Sequence, residues 1–210
     1  MRMRAIGWTL GLLVLATGEA WAQVAWDAPL LLPPRAEQGF GLYLINAAPG
    51  DVGIVGTWRS GRGPQSIGLR VGLAEDFRDD ATLFGGVDVA GTLTRASADF
   101  PLDIDWVLGG GIGIGDDVLL TIPLGLTIGH TFVGDGVRFI PYVSPRVVVD
   151  AVFGDDNRFN RGDDKLELNF VADIGVDLRF QPGWGIRFGT TFGDVGNFRK
   201  REALAIGIIF

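Results

Sequence analysis

The chain has 210 residues, a single-domain length, with 47% hydrophobic residues, 33 Gly, no Cys and a formal net charge of −7. The lack of Cys excludes a disulfide scaffold. The acidic balance, with no basic stripe carrying interleaved aromatics, argues against nucleic acid as a partner.

The first element is a processing segment. Arg2 and Arg4 form a positive start, Ile6–Leu15 is a short apolar core, and Ala20-Trp21-Ala22 supplies the small–x–small pattern before Gln23. The apolar run is well short of the ~20 residues that a helical membrane span needs. Residues 1–22 are therefore expected to be a cleaved secretory signal, cut between Ala22 and Gln23. Residues 23–38 follow as an extended lead-in to the first strand. Pro29, Pro33 and Pro34 there remove ladder donors and forbid a central strand.

From residue 39 onward the chain is a succession of alternating segments. Phe40–Ile45 and Val52–Arg59 are the two weakest. Ile67, Leu69, Val71 and Leu73 oppose Gly68, Arg70 and Gly72, and Val87, Val89 and Leu93 oppose Asp88, Ala90 and Thr92. Ile104, Trp106, Leu108, Ile112 and Ile114 alternate with Asp103, Asp105, Val107 and several glycines. Leu120 to Ile128 alternates with Thr121, Pro123, Gly125, Thr127 and Gly129, and Val143, Val147, Val149 and Ala151 oppose Ser144, Arg146, Val148 and Asp150. The cleanest segment is Glu167–Phe180: even-numbered apolar residues from Leu168 to Phe180 face one way, and Glu167, Asn169, Asp173, Gly175, Asp177 and Arg179 the other, with Val171 the single exception. Pro182-Gly183 makes a turn, and Trp184–Gly193 repeats the pattern with Arg187 on the polar side. Successive side chains of a strand point to opposite faces, so each segment is a strand with one apolar and one small or charged side. No segment reads as an amphipathic helix.

A soluble sandwich also alternates, but its polar face meets water and is crowded with long polar side chains. Here that side is mostly Gly, Thr, Ser and a limited set of charges, as in a cramped barrel interior, while large apolar residues fill the other. Only a closed barrel satisfies every backbone group of strands placed in hydrocarbon. The expected fold is all-β: a single closed antiparallel up-and-down transmembrane barrel over residues 39–210, about ten strands, with eight the alternative if the two early segments are not separate spans. Trp58, Trp106, Trp184, Phe132, Phe153 and Phe210 lie near segment ends, where aromatic girdles sit.

The last strand, Glu202–Phe210, ends on Phe210 with Ile208, Ile206 and Leu204 at alternating positions before it. It resembles the C-terminal assembly signal of Gram-negative outer-membrane proteins, and with the signal peptide and the alternation the whole chain resembles the small outer-membrane β-barrel proteins of the OmpA type. Glu202 departs from the pattern, which often has an apolar or aromatic residue there. The resemblance implies a bacterial outer-membrane location, a monomer among outer-membrane lipid and lipopolysaccharide, and recognition by periplasmic chaperones and the barrel-assembly machinery during biogenesis. It makes the lead-in periplasmic, with residues 48–51, 74–81, 115–117, 154–165 and 195–201 facing outward.

Predicted lumen charges are Arg70, Asp88, Asp103, Asp105, Arg146, Asp150, Glu167, Asp173, Asp177, Arg179 and Arg187. Unpaired buried charge is expensive, so these are expected to pair and fill the bore; a narrow hydrophilic passage filtered by them is the alternative. A lipid-modifying enzyme is the third and weakest reading. The one histidine, His130, falls with Ile128 and Phe132 on the lipid side, with no serine at a matching position, and a base must reach its nucleophile. No catalytic residue is expected. The loop Gly154–Lys165 carries Asp155, Asp156, Asn157, Asp163 and Asp164, but lacks the spacing and distal Glu of a calcium loop and is interrupted by Arg158 and Arg161. No metal and no cofactor are expected. The function expected is a structural or surface role with a side-chain-filled lumen.

Overall fold

The computed structural model describes residues 28–46, 52–61, 64–75, 81–115, 118–153, 165–181, 183–195 and 199–210. Strands form wherever the alternation was read. They are β1 (Gly39–Asn46), β2 (Val52–Ser60), β3 (Gln65–Glu75), β4 (Ala81–Thr94), β5 (Asp103–Ile114), β6 (Val118–Gly129), β7 (Phe132–Gly134), β8 (Val137–Phe153), β9 (Lys165–Phe180), β10 (Trp184–Val195) and β11 (Arg199–Ile209). Each pairs antiparallel with its sequence neighbour, except that β6 pairs with β8 and the three-residue β7 forms a lip on the edge of β8. β1 then pairs with β11, Gly41 opposite Ile209 and Asn46 opposite Leu204. That seam is locked where Phe40 and Phe210 exchange N–H···O bonds of 3.1 and 2.8 Å. The result is a closed antiparallel barrel of ten strands. The two weak early segments are full spans, β1 and β2, which resolves ten against eight.

Alternation sets the two faces. Along β1, Leu42 and Leu44 are 59% and 58% exposed while Tyr43 and Ile45 between them are 1% and 2% exposed. The outer surface is apolar in every barrel strand, from Ile67 to Leu73 on β3, Ile122 and Leu124 on β6, and Leu204 to Ile208 on β11. Phe40, Phe132, Trp184 and Phe210 are exposed at the end of the barrel where both termini of the ring meet, with Trp184 stacked 4.6 Å from Phe180. Trp58, Trp106 and Phe153 also lie on the outer face, toward strand ends.

Several strands are longer than the alternation suggested. β8 starts at Val137, ahead of the expected Val143, because Pro141 and Pro145 are tolerated inside it. The cost is visible in the ladder: the β6–β8 register runs to Gly125 opposite Arg146 and resumes at Ile128 opposite Val143, the gap falling at Pro145, which has no N–H to give. A bulge at Thr92/Thr94 ends β4.

Two lumen tyrosines depend on glycines. The Tyr142 ring lies across Gly175 and the Tyr43 ring across Gly207, its direct partner on β11, so a Cβ at either glycine would collide with the ring. Gly175→Val is expected to lower stability by about 1–3 kcal/mol, seen as a lower urea midpoint in detergent micelles. Gly110→Ala, whose Cβ meets nothing within 4 Å, is expected to leave that midpoint unchanged.

Candidate functional site: the barrel lumen

The inward side chains of ten strands converge on one bore, and that is where the polar chemistry of the chain lies. Arg70, Asp88, Asp103, Asp105, Arg146, Asp150, Asp173, Asp177, Arg179 and Arg187 are all buried there, and Glu167 is half-buried. Register brings opposite charges together. Arg187 stands directly across from Asp177 and bonds it at 2.6 Å. Arg146 reaches diagonally from its partner Val171 to Asp173, with Nε and Nη2 at 2.8 and 3.0 Å, a two-pronged contact. Thr191 donates to the same carboxylate at 2.6 Å. Arg59 pairs with Asp88, Arg179 Nε lies 3.4 Å from Asp177, and Asn169 donates to Asp150 at 2.8 Å. Arg59 and Asn169 complete the network; Asn169 lies on the polar side of the clearest alternation, whereas Arg59 sits at the end of one of the weakest.

The bore holds one more element, which corrects the reading of residues 23–38 as a lead-in outside the barrel. Its described part runs inside. Ala28, Leu30, Leu31 and Leu32 are buried against Tyr43, Ile45, Val55, Phe84 and Val107 of the wall. Arg70 donates to the carbonyls of Leu30 at 2.6 Å and Pro29 at 3.5 Å, Arg187 to Leu31 at 2.6 Å, and Thr127 to Leu32 at 2.7 Å. The prolines do bar a strand, as expected; the three successive leucines between them have no place in water, and that was the signal for burial. The segment turns at Pro34–Arg35, with Arg35 at φ 58°, and passes out of the bore into β1.

At the mouth beside the termini, charges from wall and segment meet. Arg35 N donates to Asp105 at 2.8 Å and its Nε lies 2.9 Å from Asp103; Arg95 bonds Asp105 at 2.6 Å. Glu37 takes a bond from Arg138 at 2.5 Å, which holds its carboxyl below the ordinary glutamate value of 4.5. A cavity of about 280 Å³ opens there, lined by Leu32, Arg35, Gln65, Arg95 and Asp105 among others. A second, smaller cavity of about 30 Å³ lies between the segment and the wall, lined by Leu30, Glu37, Tyr43, Arg70 and Arg187 among others.

His130 lies just beyond β6, its Nδ1 2.5 Å from the Pro101 carbonyl and its ring edge-on to Phe132 at 4.6 Å. Leu204, Ile206, Ile208 and Phe210 of the last strand all face outward. Ala20, Ala22, Gln23 and the acidic loop 155–164 lie outside the described residues. No family model matches the chain, and no curated protein matches it either.

Two outcomes follow. Arg146→Met strands the buried Asp173 carboxylate and is expected to cost ~3–5 kcal/mol, whereas the double change with Asp173→Leu recovers most of it; urea titration of both variants measures the difference. Because the folded pKa of Glu37 is depressed, its ion pair contributes above 4.5 and is lost as pH falls below it. Proteolysis near residue 37 is expected to rise on acidification through that range, and Glu37→Gln to be equally cleavable at both ends of it.

Proposed function

We propose that this chain is an integral outer-membrane β-barrel protein of a Gram-negative envelope, non-enzymatic, with a structural or surface role and a bore closed at rest. The observation that carries the reading is the outer face: exposed large apolar residues on all ten strands of a ring closed on itself. In water such a patch is far above the few hundred Å² that soluble monomers tolerate. In a bilayer it is the solvent-exposed surface. Along β5 the outward apolar run from Ile104 to Ile114, at ~3.3 Å per residue on a strand tilted ~40°, spans roughly 25 Å, the height of a lipid-facing barrel band.

Two sequence features support the same location. The N-terminal signal provides for export, and the outward Leu204, Ile206, Ile208 and Phe210 present the pattern the assembly machinery reads. The partners proposed are outer-membrane lipid and lipopolysaccharide, the periplasmic chaperones and that machinery, with the protein a monomer. The proposal of no catalytic role rests on His130, whose ring is committed to a backbone carbonyl and a phenylalanine edge.

Refolded into lipid vesicles, the mature chain is expected to gain heat-modifiable gel mobility and protection from protease. Leu69→Arg, at mid-band on β3, should destabilise the vesicle-inserted barrel by ~2–4 kcal/mol, and Phe40→Arg, near its rim, by ~1 kcal/mol or less. A compact, water-soluble monomer in the absence of detergent would overturn the reading.

A further inference from the structure

Residues 28–34 are held in the bore in a way that a collapsed tail is not. The wall grips their main chain: four consecutive carbonyls, Pro29 to Leu32, are taken by Arg70 of β3, Arg187 of β10 and Thr127 of β6, donors spread around the ring. The wall is also notched to receive them. A Cβ at Gly189 would stand 3.1 Å from both Pro29 Cβ and Leu31 Cδ2, so glycine there leaves room for the segment. Finally, the segment belongs to no ladder. Its departure leaves the ten-strand hydrogen-bond ring whole, and Arg146–Asp173, Arg187–Asp177 and Arg59–Asp88 remain paired, because both partners of each sit on the wall.

Eight strands enclose a bore that side chains fill, and ten enclose somewhat more. Here the surplus is occupied by a peptide. We propose that residues 28–34 are a removable stopper, and that the barrel around them is a narrow aqueous conduit for small ions, shut while the stopper is seated. This rests on the membrane reading above. When the segment leaves, the guanidinium groups of Arg70 and Arg187 and the hydroxyl of Thr127 exchange peptide carbonyls for water, so the vacated bore carries polar groups beside its apolar patch. The turn at Pro34–Arg35 lies at the mouth, beside the 280 Å³ cavity, where the segment has room to swing.

The test uses the full chain carrying Pro29→Cys and Gly189→Cys, in a protein with no cysteine of its own. The two Cβ positions lie 3.1 Å apart, short of the ~3.5–4.5 Å of a disulfide, and the segment, which belongs to no ladder, is free to make up the difference by a small outward shift. In planar bilayers bathed in potassium chloride, the unsubstituted chain and the reduced double variant are expected to show brief single-channel steps. The oxidised variant is expected to show none until a reductant is added. Thr127→Val keeps the side-chain shape, removes one bond to the stopper, and needs no disulfide to form; it should raise the open fraction about fivefold. Insertion is read separately, by protease protection and heat-shifted mobility. Chains that fail to insert overturn the membrane reading and the stopper with it. Chains that insert but are silent in every form, that conduct equally with the disulfide closed, or that are no more open with Thr127→Val, overturn the stopper alone.

Discussion

The structure depends on one constraint: each of the ten barrel strands must have a hydrogen-bonded neighbour on both sides. An unpaired backbone N–H or C=O in an apolar medium costs several kcal/mol, and a sheet with a free edge has a whole row of them. Here β1 and β11 meet, the Phe40–Phe210 exchange locks the seam, and no edge is left. Once the backbone is satisfied within the ring, the outer side chains are free of any polar duty. They can be apolar, and large apolar residues dominate the outer face of every barrel strand. The inner face inherits the converse obligation, because every polar side chain of the barrel strands has to be satisfied in a space a few side chains wide.

For most of the charged side chains that obligation is met by pairing. Asp173 is shared by Arg146 and Thr191, Asp177 by Arg187 and Arg179, and Asp103 and Asp105 by Arg35 and Arg95. Arg146, Thr191 and Arg187 meet their carboxylates as cross-strand or diagonal neighbours, so these contacts are products of register, and a slip of one residue would turn those side chains outward. Two guanidinium groups serve as donors to the inner peptide as well. Arg187 is the clearest case: one arm holds Asp177 on the neighbouring strand, the other the Leu31 carbonyl.

Much of this was legible in the residues. Period-two alternation is a local property, and Glu167–Phe180 or Trp184–Gly193 declare both strand and face without help. The closed all-β ring followed from the lack of any partner for so much apolar surface. Three things were not legible. Pairing partners are non-local, so Arg59, at the edge of a weakly alternating segment, gave no sign of reaching Asp88. Single valines fall on the polar side, Val107, Val148 and Val171, with only Val171 read as an exception; in the bore they are buried apolar filling, and Val107 packs in the same cluster as Leu30 to Leu32. The course of residues 28–37 was missed because proline density speaks only of what the backbone cannot do. It says nothing of where the chain goes.

The inner peptide comes first in the chain, and the strand that seals the ring comes last. Leu31 and Arg187, bonded across the bore, are 156 residues apart. Synthesis therefore delivers the contents before the container. Contacts of such long sequence separation are slow to form, and the interior is enclosed only once β1 and β11, the first and last strands, have met.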